Sequence, residues 1–129
     1  MSRDSIESGL ELRVTNILQE IGIPANLRGY YYIREAIIVA AGNINVISHI
    51  TKSLYPAVAQ KCGTTPSRVE RAMRHAIDAA WSRGMSESIN TVFGCTVNVN
   101  GGKPTNSEFI ALIADRLRLE KTARQDNES

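Results

Sequence analysis

Between Ser67 and Asp78 six polar side chains recur at helical spacing: Ser67, Glu70, Arg71, Arg74, His75 and Asp78. They fall on one face of a helix, while Val69, Met73, Ala76, Ile77 and Ala80 fall on the other. The chemistry open to such a face is recognition of base edges. An arginine fork matches guanine O6 and N7 with two parallel hydrogen bonds, and a glutamate accepts from the cytosine amino group. Arg71, Arg74 and Glu70 are therefore the candidate readers, with His75 on the same face. The plainer reading is a solvated face with a Glu70–Arg74 pair one turn apart.

To enter a major groove, such a helix must be braced by a second one. The stretch from Tyr55 to Trp81, YPAVAQKCGTTPSRVERAMRHAIDAAW, has the grammar of two helices joined by a tight turn. Pro56 suits the opening of the first, where its missing N–H would be unpaired anyway. Gly63 closes that helix, since glycine takes the left-handed conformation cheaply. Thr65 caps the second helix and Pro66 occupies its first position. Small Ala59 lets the helices approach, and Val69 fills the angle between them. Trp81 anchors the second helix to the core, and Ser82-Arg83-Gly84 ends it.

Charge supports this placement. The 129-residue chain has a net charge of only +2 and a pI near 8.7. Yet Lys52, Lys61, Arg68, Arg71, Arg74 and Arg83 crowd the motif, opposed only by Glu70 and Asp78. That local excess of cations is larger than the charge of the whole chain, as a nucleic-acid reader requires. Ser67 and Lys61 are candidates for phosphate contact from position alone. The mean composition, 43% hydrophobic and 22% charged, is that of a soluble globular domain.

Other chemistry lacks its residues. There is no GxSxG, HExxH or glycine-rich dinucleotide turn, and Glu70 and His75 diverge around the helix, so no enzyme is expected. His49 and His75 have no second ligand at metal spacing, and no metal or other cofactor is expected. Gly101-Gly102-Lys103 suggests a phosphate loop, but Pro104 follows the lysine where Ser or Thr is required. Cys62 and Cys95 belong to no cluster and read as reduced core residues of a cytoplasmic protein. The longest apolar run, Ala36 to Ala41, is too short to span a bilayer, and no signal-peptide pattern is present.

The remaining elements build a helical scaffold. Residues 1–9 are expected to be disordered, residues 10–120 to form the domain, and residues 121–129 to be a disordered tail. Leu10, Val14, Ile17, Leu18 and Ile21 mark a first helix, ended by Gly22 and Pro24. Tyr30 to Ala41, YYYIREAIIVAA, is a second and largely buried helix. Its tyrosines fan around the axis, so at most one ring could stack on a base, and core packing is the better reading. Gly42-Asn43 stops it, and Val46 to Lys52 is a short helical lead-in. Ser86 to Phe93 makes another short helix, followed by a loop from Cys95 to Lys103. Thr105 and Glu108 form a capping box that opens the last helix, through about Glu120. Its apolar face comprises Phe109, Ile110, Leu112, Ile113, Leu117 and Leu119. The fold class expected is all-α: about six helices around a helix-turn-helix, of the winged-helix-like superfamily but without an extended sheet.

The run SRVERAMRHAIDAAWSRG, Ser67 to Gly84, resembles the recognition helix of the stage-zero sporulation protein A family, in its C-terminal effector domain. The flanks agree: GYYYIREAI from Gly29, ITKSLYPAVAQK from Ile50 and KPTNSEFIALIADRLRLE from Lys103. The likeness runs from about Leu12 to Glu120. It implies a six-helix domain that binds double-stranded promoter DNA at boxes with a TGTCGAA core. Such domains bind as head-to-tail tandem copies and activate or repress sporulation genes. The family's base-reading residues fall on Glu70, Arg71 and Arg74, and His75 approaches the backbone or a base edge. Its surface for the RNA polymerase sigma factor falls between Gly84 and Val97, with Gly84, Ser88, Phe93 and Val97 matching. Glu87, Asn90 and Cys95 depart from the pattern, which bears on activation more than on DNA binding.

The family also carries a receiver domain, phosphorylated on Asp in a two-component phosphorelay. A chain of 129 residues is too short for both domains, so an excised or free-standing effector domain is expected. The competing reading is a helical adaptor of the transcription machinery without sequence-specific DNA binding, for which the Gly84 to Val97 stretch would suffice.

Overall fold

The densest apolar run becomes the centre of the molecule. The computed structural model describes residues 3–84, 87–89 and 103–128. Helix α1 spans Arg3–Ile21, α2 Arg28–Gly42, α3 Tyr55–Cys62, α4 Pro66–Ser82 and α5 Asn106–Glu128. A 3-10 segment, Ile44–His49, and a π-helical turn, Ile50–Leu54, lead from α2 into α3. Residues 87–89 are also helical, and no strand occurs among the described residues. The fold is all-α, as the periodicities predict.

Helix α2 is apolar around most of its circumference, so it can be covered on several sides at once. It packs against α1, α3, α4 and α5. Tyr30, Tyr32, Ile33, Ala36, Ile37 and Ala40 are buried in it, and only Tyr31 of the tyrosine triplet is exposed. Helix α1 contributes Val14, Ile17, Leu18 and Ile21 to the same core. It stops at Gly22, whose φ of +99° suits glycine, and the N–H of Ile23 returns to the Leu18 carbonyl at 3.0 Å. Asn43 ends α2 in an extended conformation and accepts the Asn45 N–H at 3.2 Å, which starts the 3-10 segment.

Three expectations are corrected. Residues 3–9, expected to be disordered, belong to α1. Residues 121–128, expected to be a disordered tail, belong to α5. Apolar periodicity marks only the packed part of a helix; once nucleated, a helix adds one bond per residue until a breaker intervenes. KTARQDNE contains neither Pro nor Gly. The turn just before it is pinned to α1: the Arg13 guanidinium grips Glu120 at 2.6 and 3.1 Å. The third correction is Leu119, which is 59% exposed instead of lining the apolar face. Two residues beyond buried Leu117 is about 200° around the axis, the far side of the helix.

Candidate nucleic-acid interface

The turn between α3 and α4 is built as its residue types require. Gly63 sits at φ +69° in the left-handed region, and the Thr64 N–H bonds back to the Ala59 carbonyl at 2.9 Å. The Thr65 hydroxyl accepts the Arg68 N–H at 3.3 Å, and Pro66 begins α4. Ala59 and Val69 are both buried. Thr65→Ala should cost about 1 kcal/mol in urea unfolding, the usual worth of an N-cap. An unchanged midpoint would mean that the 3.3 Å bond does not hold the helix start.

Helix α4 divides as its spacing demands. Val69, Met73, Ala76, Ile77 and Ala80 are buried; Ser67, Arg68, Arg71, Arg74 and His75 are exposed; Glu70 and Asp78 are half-buried. Trp81 is partly buried against the core. Arg71 and His75 make no hydrogen bond or ion pair with any described residue. Arg74 and Glu70 form a loose pair at 3.6 Å. Asp78 pairs with Lys103. Lys61, on α3, lies 2.6 Å from Glu35 of α2.

Two residues that the sequence does not single out hold α4 in place. Gly29 at the start of α2 lies against Ala72, so closely that a β-carbon there would fall 2.1 Å from the Ala72 carbonyl oxygen. On the opposite flank, Asn106 begins α5 and donates to the Glu70 carbonyl at 3.1 Å and to the Tyr55 hydroxyl at 3.0 Å. Burial pushes the Tyr55 phenol above its ordinary pKa, so it stays neutral. The capping box beside it is reciprocal: the Thr105 N–H donates to Glu108 at 3.0 Å and the Glu108 N–H to the Thr105 hydroxyl at 3.1 Å. The Thr105 backbone N–H, and after it the Thr105 side chain, hold the Glu108 carboxyl below the usual carboxylate range. A half-open groove of about 360 Å³ separates this first turn of α5 from Glu70, Arg74 and Asp78.

Beyond α4 the chain turns at Gly84, exposed and at φ +90°. The half-buried Ser88 donates its N–H to the Gly84 carbonyl at 3.4 Å, and Ile89 enters the core. Phe93 and Val97 lie outside the described residues, as do Asn90, Cys95 and the Gly101-Gly102 pair. Cys62 is a half-buried free thiol whose pKa burial pushes up. Among the described residues no group of His, Cys, Asp or Glu is placed to hold a metal ion. No helix among them is long and apolar enough to cross a membrane.

Residues 14–117 match the family model described as "Sporulation initiation factor Spo0A C terminal". The match takes in α2, α3, α4 and both sides of the turn at Gly63. With its all-helical scaffold, its helix-turn-helix and the cationic face of α4, the chain belongs to the family of C-terminal, DNA-binding effector domains of the sporulation initiation factor Spo0A.

Proposed function

We propose that the domain regulates transcription at sporulation promoters by laying α4 in the major groove of TGTCGAA-like boxes. Arg71, Arg74 and Glu70 read base edges, His75 approaches the backbone or a base edge, and Ser67 and Lys61 meet phosphates. The observation that carries this reading is an exposed Arg71 without a partner among the described residues, on the outward face of the second helix of the motif. The Glu70–Arg74 pair does not oppose it. An exposed pair one turn apart is worth about 0.3–0.5 kcal/mol, against about 1–3 kcal/mol for a bidentate base contact. Arg74 therefore gains by turning to guanine. Lys61 gains less, because leaving Glu35 strands a carboxylate that is only 15% exposed.

Two copies bind head to tail on tandem boxes in the cytoplasm, at the nucleoid. Gly84, Ser88, Phe93 and Val97 then meet the sigma factor of RNA polymerase, as the family resemblance implies. The test is fluorescence anisotropy on a duplex with two tandem boxes against a scrambled duplex, over a salt series. Box-dependent binding is expected, with a log–log salt slope of about −0.9 per neutralised phosphate. Equal weak binding to both duplexes would leave the adaptor function instead. Within that assay, Arg71→Ala should cost about 1–3 kcal/mol on the box and relax preference at one base position. A loss of the same size on random DNA would remove Arg71 from the list of readers.

A further inference from the structure

The side chain of Asn106 hydrogen-bonds to both helices of the motif from outside, at Tyr55 of α3 and Glu70 of α4. It is 8% exposed, so water does not substitute for its partners. A carboxamide nitrogen carries two N–H donors and no more. Both have acceptors here: the Tyr55 hydroxyl on α3 at 3.0 Å and the Glu70 carbonyl on α4 at 3.1 Å. The second bond lands on the backbone of a proposed reading residue. A helical carbonyl has a second lone pair, so Glu70 can accept it without breaking the ladder of α4.

We propose that Asn106 is a positioning residue for DNA reading, fixing the tilt of α4 against α3 and so the height at which Glu70 and Arg74 meet the bases. This rests on the base-reading role given to those two side chains above. Recognition groups must be held within about 0.5 Å of their productive place, and long exposed side chains such as Arg74 cannot hold themselves there. The backbone beneath them has to be fixed. Gly29 presses on α4 from the Ala72 side, but by contact alone. Asn106 supplies a directional bond on the Glu70 side, and the Lys103–Asp78 pair lies two turns further along the same flank. Asn106 touches no base itself; its effect passes through Glu70.

The test compares wild type, Asn106→Ala, Tyr55→Phe and the double variant on matched and scrambled duplexes, below the unfolding transition of each by circular dichroism. Neither substitution adds charge, so binding to the scrambled duplex should stay within about twofold. Asn106→Ala is expected to weaken matched binding about tenfold, the low end of one base contact. Tyr55→Phe should lose part of that, and the double variant should lose no more than Asn106→Ala, since all three break one link. Equal losses on both duplexes, unchanged discrimination, or additive effects would each overturn the proposal. Should Asn106→Ala not fold, Tyr55→Phe alone decides it by lost or unchanged discrimination. A wild type that does not distinguish the duplexes would remove the reading role and this one with it. A discriminating wild type with indifferent variants would remove only this one.

Discussion

Phe109→Ala is expected to destabilise the domain by about 3–5 kcal/mol, the range for removing a large aromatic side chain from a packed interior. Phe109 is fully buried, in the first turn of α5, three residues after Asn106. Its N–H makes the opening bond of that helix, to the Thr105 carbonyl at 3.0 Å. The ring joins a core drawn from α1, α2, α3, α4 and α5, and α5 packs chiefly on α2. A backbone fixed by so many neighbours collapses poorly around a void, so both the transfer and cavity costs should appear. A domain of this size is stable by about 5–15 kcal/mol, so the loss is a large fraction of the total. Urea unfolding measures it directly. A shift below about 1 kcal/mol would mean that the first turn of α5 is not packed as described.

The motif is legible in sequence because its determinants are local. Gly63, Thr65 and Pro66 act on their own backbone or on a neighbour within four residues, and so does the Thr105–Glu108 box. The burial of α4 follows from spacing alone: Val69, Met73, Ala76, Ile77 and Ala80 are the inward set in both. What spacing cannot state is which distant residues meet. Lys61 reads as a spare cation until Glu35 of α2 is placed beside it. Asn106 reads as a position inside a capping box, yet its partners lie 36 and 51 residues away. Helix ends fail for a different reason. Residues 3–9 and 121–128 carry few apolar residues and no proline, so periodicity is silent there while propagation is not. The candidate readers were visible because they are repeated on one helix; the residues that hold that helix were not.

Gly29 gives the sharpest test of how α4 is held. It is the second residue of α2, and its missing side chain is what lets α2 reach α4. A β-carbon would lie 2.1 Å from the Ala72 carbonyl oxygen, 2.7 Å from the Ala72 carbonyl carbon and 2.8 Å from the Ala76 β-carbon. Two of those atoms are helix backbone and cannot rotate away. Gly29→Ala therefore has to part the helices, at about 3 kcal/mol, the upper end for overpacking. Alanine's better helix propensity returns at most about 1 kcal/mol, and less in a first turn. The net expectation is a loss of about 2–3 kcal/mol. Gly42→Ala, at the other end of the same helix, is the control. It meets nothing within 4 Å, so its expected change is within about 0.5 kcal/mol. Gly29→Ala protein that remains folded should bind the tandem boxes with reduced discrimination, because Ala72 lies between Arg71 and Arg74 on the helix that moves. If both alanine variants unfold at the same urea concentration, α2 does not hold α4 by this contact, and the seat of the reading helix must be sought on its Asn106 side.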